Sequence, residues 1–92
     1  MIIINERKTL GSKGFAHAVL DSIHPTLIKH LSKEQMADIT NDVEFFSELD
    51  LSELDKDGFN VAFMAIKQLT SLDKHWQSVL LKAMQADPRY TP

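Results

Sequence analysis

Ninety-two residues, 43% hydrophobic and 25% charged with no cysteine, can build one folded domain, and they exclude disulfides, thiolate metal sites and a cysteine nucleophile. The formal charge of −3 conceals a dipole: the 24 residues from Glu34 to Asp57 hold nine acids and one base, Lys56, for −8, while the other 68 hold four acids and nine bases, for +5. This balance makes an anionic membrane surface or a nucleic-acid backbone a poor default partner, because both draw on a basic patch.

Met1-Ile2-Ile3-Ile4 is too short for a signal segment and runs at once into Asn5, Glu6, Arg7 and Lys8, so the chain reads as cytoplasmic, and no stretch reaches membrane-spanning length. The β-branched run predicts a short strand or an apolar arm on the core, with no second convincing strand to pair with it. Gly11-Ser12-Lys13-Gly14 reads as a helix-entry turn; it lacks the spacing of a phosphate-binding loop and has too little chain before it for an RNA-binding KH module. Phe15, Ala16, Val19, Leu20 and Ile23 then predict a first helix from about Gly14 to about Ser22.

His24-Pro25 is expected to end that helix, since the residue before proline is pushed out of the α region, and Leu27, Ile28 and Leu31 give a short second one. Ser32 with Gln35 is a capping-box pattern that opens a third helix near Lys33, running to about Glu48. Residues 49–58 form a loop with one helical turn, echoing Ser-Glu-Leu-Asp at 47–50 and 52–55. Asp57 is the expected N-cap of a fourth helix with Phe59, Ala62, Phe63, Ile66 and Leu69 on its buried face, and Ser71 that of a fifth with Leu72, Trp76, Val79, Leu80 and Ala83 facing inward. Asp87-Pro88 stops it and leaves Arg89-Tyr90-Thr91-Pro92 as a tail. The expected fold is therefore all-α: a small irregular bundle of about five helices with at most one short N-terminal strand or arm, in a single domain.

On the third helix, at about 100° per residue from Glu34, the residues Met36, Ile39, Val43 and Phe46 fall between about 120° and 200° and define a buried stripe. Glu34, Asp38, Asp42, Glu44 and Glu48 fall on the opposite side, with Phe45 near 20° among them and Leu49 near 60°. An aromatic side chain inside a ring of carboxylates has the composition of a binding anchor, in which the ring sets dissociation and the charge sets association and orientation. With Asp50, Glu53 and Asp55 these residues are the candidate partner-binding set. If the helix ends near Ser47, Phe45 and Leu49 instead fold back onto the 50–57 loop or the fourth helix.

Other patterns carry less. Glu53, Asp55, Asp57 and Gly58 match part of a calcium loop, but its twelfth position is Met64, which cannot replace a bidentate glutamate, so the acids read as a helix N-terminus and no metal or other cofactor is expected. His17, His24, His30 and His75 lack metal-ligand spacing. The reading that results is a non-enzymatic binding domain whose acidic segment engages a basic protein, most concretely a small antitoxin- or immunity-type protein covering a toxin or nuclease, with oligomeric state open. One alternative is a nucleic-acid-binding regulator using Lys13, Lys29, Lys33, Lys67, Lys74 and Lys82, weakened by a count of only two arginines. A second is a small-ligand protein or enzyme using His17, Asp21 or His75, which requires a deep pocket where they converge.

Overall fold

Alternation in the N-terminal isoleucines places Ile2 and Ile4 fully inside and Ile3 half-out, the pattern of a strand with one face on a core. In a computed structural model describing residues Met1–Pro92 this strand, β1 (Ile2–Asn5), pairs on both sides. β2 (Lys8–Leu10) lies antiparallel to it and β3 (Leu49–Asp50) parallel, in the order β2-β1-β3. The all-α expectation is therefore wrong: four helices, α1 (Lys13–His30), α2 (Lys33–Phe46), α3 (Lys56–Lys67) and α4 (Lys74–Gln85), pack with a three-stranded mixed sheet.

The extra strands left little trace in the residues. β2 has no apolar alternation and β3 is two residues long. The β1–β2 turn is Glu6-Arg7, and neither residue has positive φ, so it is not one of the tight turns marked by Asn-Gly or Asp-Gly. The β1–β2 pairing shifts register between Ile3 and Asn5, a bulge-type irregularity next to this turn.

The predicted break at His24-Pro25 does not occur: α1 runs straight through Pro25. Its buried stripe, Ala16, Val19, Leu20, Ile23 and Leu27, keeps helical spacing across the proline. An interior proline costs about 3 kcal/mol, less than burial of a single stripe of this length stabilises at about 1.5–3 kcal/mol per large aliphatic side chain. Pro25 itself points to solvent. Gly11, with φ +78°, makes the entry turn before α1; a Cβ there would come within 2.5 Å of the Phe15 ring.

Ser32 and Gln35 do form the reciprocal capping box of α2, with Gln35 N donating to Ser32 Oγ at 3.1 Å and Ser32 N to Gln35 Oε1 at 3.0 Å. The other two caps shift by two residues. Asp55, not Asp57, caps α3 by accepting from Gly58 N at 2.8 Å, and Asp73, not Ser71, caps α4 by accepting from Trp76 N at 3.1 Å. Trp76 thereby sits in the first turn of α4, beyond the core, 47% exposed and 6.2 Å from the ring of Phe15.

The C-terminal residues are not a loose tail. Asp87 is 5% exposed, and its carboxylate accepts from Arg89 Nε (2.9 Å), Arg89 Nη2 (3.0 Å) and Asn5 Nδ2 (2.9 Å). The Arg89 guanidinium lies 4.1 Å over the Phe59 ring and donates to the carbonyls of Ile4 (2.8 Å), Leu51 (2.7 Å) and Leu54 (2.8 Å). One side chain thus joins β1, the 51–54 loop and α3. Tyr90 packs edge-on against Phe63 at 4.7 Å, and Asn60 bonds the backbone of Arg89 and Thr91.

Candidate functional site

The end of α2 decides the geometry of the acidic segment. Its apolar stripe, Met36, Ile39 and Val43, is buried, and the helix stops one turn later at Phe46. Ser47 takes a left-handed conformation, φ 55° and ψ 36°, so that its N–H returns to Val43 O (3.0 Å) and Glu48 N to Asp42 O (3.2 Å). The chain then turns into β3, where Leu49 N donates to Met1 O at 2.9 Å.

Two consequences follow for the aromatic residues. Phe45 is 72% exposed, so of the two alternatives the outward ring among the acids is the one found, although the helix does end near Ser47. Phe46, assigned to the buried stripe, is 66% exposed, because the last turn of α2 extends past the core it was expected to cover. Met1, 40% exposed, lies beside them through the bond from its amine to Ser47 O at 2.7 Å. Leu49, by contrast, is fully buried and leaves the partner-binding set, since the turn at Ser47 redirects it into the core. Phe45 remains outside while Leu49 folds in.

The carboxylates divide in the same way. Asp38, Asp42, Glu48 and Asp50 share one potential, and partial burial together with the charges of Asp50, Asp38 and Glu48 raises the Asp42 carboxyl above its ordinary range. None of the four meets a cation: the one ion pair in the chain is Arg89–Asp87. Asp50 also accepts from Ser52 N at 2.9 Å, which orders the turn after β3. Glu44 is exposed on the last two turns of α2, close in sequence to the phenylalanines. Glu34 is exposed in the first turn, about 16 Å along the helix from Phe45, beyond a screening length of about 8 Å, and serves the helix dipole there. Glu53 is exposed in the 52–53 turn, and Asp55 is engaged as the cap of α3. The assembled surface is therefore Asp38, Asp42, Glu44, Phe45, Phe46, Glu48 and Asp50.

No group of three His, Asp or Glu side chains converges to hold a metal ion, and of the acids in the partial calcium loop Asp55 and Asp57 serve the α3 N-terminus while Glu53 stands apart in the preceding turn. His17 Nε2 lies 3.4 Å from Ser47 Oγ, and His75 packs on Trp76 at 5.5 Å. None of the three main clefts is lined by His17, Asp21 or His75. Phe46 and the C-terminal network are what the sequence reading missed. The only available signal for Phe46 was the position of the helix end, and for Arg89 its spacing from Asp87.

No helix is long and apolar enough to cross a membrane. Comparison of the chain with known protein families, with curated proteins and with solved structures finds no match.

Proposed function

We propose that this chain is a non-enzymatic protein-binding module that covers a basic protein surface, most concretely as an antitoxin- or immunity-type inhibitor of a toxin or nuclease. The observation that carries the reading is the pair of exposed rings at the end of α2, Phe45 and Phe46, beside four carboxylates, Asp38, Asp42, Glu48 and Asp50, none of which is in an ion pair. Like charge gathered in this way costs stability. A cationic partner relieves that cost on binding and gains apolar contact from the rings, so electrostatic steering and aromatic anchoring act on the same surface. A nuclease site built for phosphate presents the required positive charge.

Affinity capture from native extract with the wild-type chain and with a Phe45→Ala/Phe46→Ala/Asp42→Lys variant tests it. A basic protein retained by the wild type and lost by the folded variant is the expected result. Recovery of the same proteins by both chains, or of nucleic acid in their place, would contradict it.

A further inference from the structure

At the opposite end of β1 from the phenylalanines, the Glu6-Arg7 turn faces α4 across a cleft of about 850 Å³, within the usual range of ligand sites, about 300–1,000 Å³. Three exposed cations line it: Arg7 and Lys8 on the hairpin and Lys82 on α4. Their side chains form no ion pair and no hydrogen bond within the chain. Between them the wall is aliphatic, formed by Val79, Ala83 and Pro88. Of the two acids at the cleft, Asp87 is saturated by Arg89 and Asn5, which leaves Glu6 as the single free carboxylate.

The cleft is held in shape by bonds that the fold requires anyway. Asn5 Oδ1 accepts from Arg7 N at 2.9 Å, fixing the turn, while Asn5 Nδ2 donates to Asp87 Oδ2 at 2.9 Å, fixing the turn to the end of α4. The Arg89 bond to Ile4 O at 2.8 Å closes the same junction. A ligand entering here orders little more than the three cationic side chains, which keeps the entropic cost of binding low.

We propose that this hairpin–α4 cleft is a second binding site, for an acidic peptide segment of a partner protein that sets carboxylates against Arg7, Lys8 and Lys82 around an aliphatic side chain. Charge complementarity selects the sign of the occupant, and the aliphatic wall selects a peptide over a nucleic acid. The cleft offers no aromatic face on which a base could stack and only one arginine for planar readout. The site is separate from the Phe45 surface and stands whether or not that surface binds a basic protein.

Titration of the isotope-labelled full chain with a blocked Glu-Leu-Glu-Leu-Glu peptide, read as amide chemical-shift changes, tests this directly. Saturable shifts centred on residues 5–8 and 79–88 are expected. Apparent affinity should fall at least about tenfold for the Gln-Leu-Gln-Leu-Gln peptide and for an Arg7→Glu/Lys82→Glu variant, a difference of about 1.4 kcal/mol. Both positions are exposed, so amide dispersion should be retained; if it is not, Lys82→Gln replaces the double variant with the same expected direction. Shifts that fall elsewhere, that ignore the charge reversals, or that fail to saturate by millimolar peptide would overturn the proposal. Equal or tighter saturable binding of a short single-stranded oligonucleotide at this cleft would overturn it in favour of a nucleic-acid site.

Discussion

Replacing Arg89 with alanine removes six hydrogen bonds at once: two to the Asp87 carboxylate at 2.9 and 3.0 Å, three to the carbonyls of Ile4, Leu51 and Leu54 at 2.7–2.8 Å, and a long one to Ser52 O at 3.5 Å. It also strips the cation from the Phe59 ring and leaves Asp87 with Asn5 as its only side-chain partner. Breaking a buried pair from one side costs about 3–5 kcal/mol, and the Arg89 side chain is 19% exposed, so water can reach some of the vacated groups. A loss of about 3–4 kcal/mol follows, a large part of the roughly 5–14 kcal/mol available to a domain of this size. At about 4–8 °C per kcal/mol, Tm falls by about 12 °C or more. Arg89→Lys keeps the charge but not the planar fork, and should recover less than half of the loss. The Arg89 hydrogen bond is the leading reason that the Asp87 carboxyl titrates below its ordinary value of 3.8. A lowered folded-state value gives stability that is present above the unfolded value and lost as pH falls toward the folded one. The gap between wild type and Arg89→Ala should therefore be widest at neutral pH and narrow below about pH 4. Urea unfolding followed by far-ultraviolet circular dichroism across that range measures both effects. A cost under about 1 kcal/mol, or a gap that widens with acid, would refute the assignment of Arg89 as the joint of sheet, loop and helix.

Ser47 is the one non-glycine residue with positive φ, a conformation that costs about 1–2 kcal/mol for an L side chain; Ser47→Gly should stabilise the chain by about 0.5–1 kcal/mol after the extra unfolded-state entropy of glycine, and a destabilised variant in urea melts would contradict the assigned turn. Asp42→Asn should raise stability at neutral pH, because the native state holds this carboxylate against its neighbours. Since its folded value is raised, that advantage should shrink as pH falls through the folded value and vanish below the unfolded one; a variant less stable than wild type at pH 7 would show that the acids are compensated.

Where apolar residues cover a long element, the chain could be read directly. The stripe Met36, Ile39, Val43 and the face Phe59, Ala62, Phe63, Ile66 are buried as their spacing predicts, because helical period and burial reinforce each other. Reading failed where a long-range contact overrode a local preference. Pro25 reads locally as a boundary, yet the stripe from Ala16 to Leu27 holds one helix through it. Lys8-Thr9-Leu10 and Leu49-Asp50 become strands only because β1 supplies a partner for each, a pairing between residues up to 47 positions apart that no local window contains. The wheel placed Phe45 among the acids but left open whether its ring stays outside or folds back; that choice, the exposure of Phe46 and the burial of Leu49 all depended on how the chain turns after Phe46. Arg89 lies in four residues without apolar period and acts through carbonyls of two distant segments, β1 and the 51–54 loop.

The kinetics of the complex formed with a captured basic partner test the central claim most directly, with Phe45→Ala set beside Asp42→Lys/Glu48→Lys. Phe45 is 72% exposed, so its truncation should change stability by no more than about 0.5 kcal/mol while weakening the complex by about 2 kcal/mol or more, roughly thirty-fold, mainly through faster dissociation. The charge reversals should instead slow association, and the effect should shrink as salt rises. Unchanged dissociation in Phe45→Ala, or association indifferent to Asp42 and Glu48 at low salt, would contradict the assignment of this surface as the binding face.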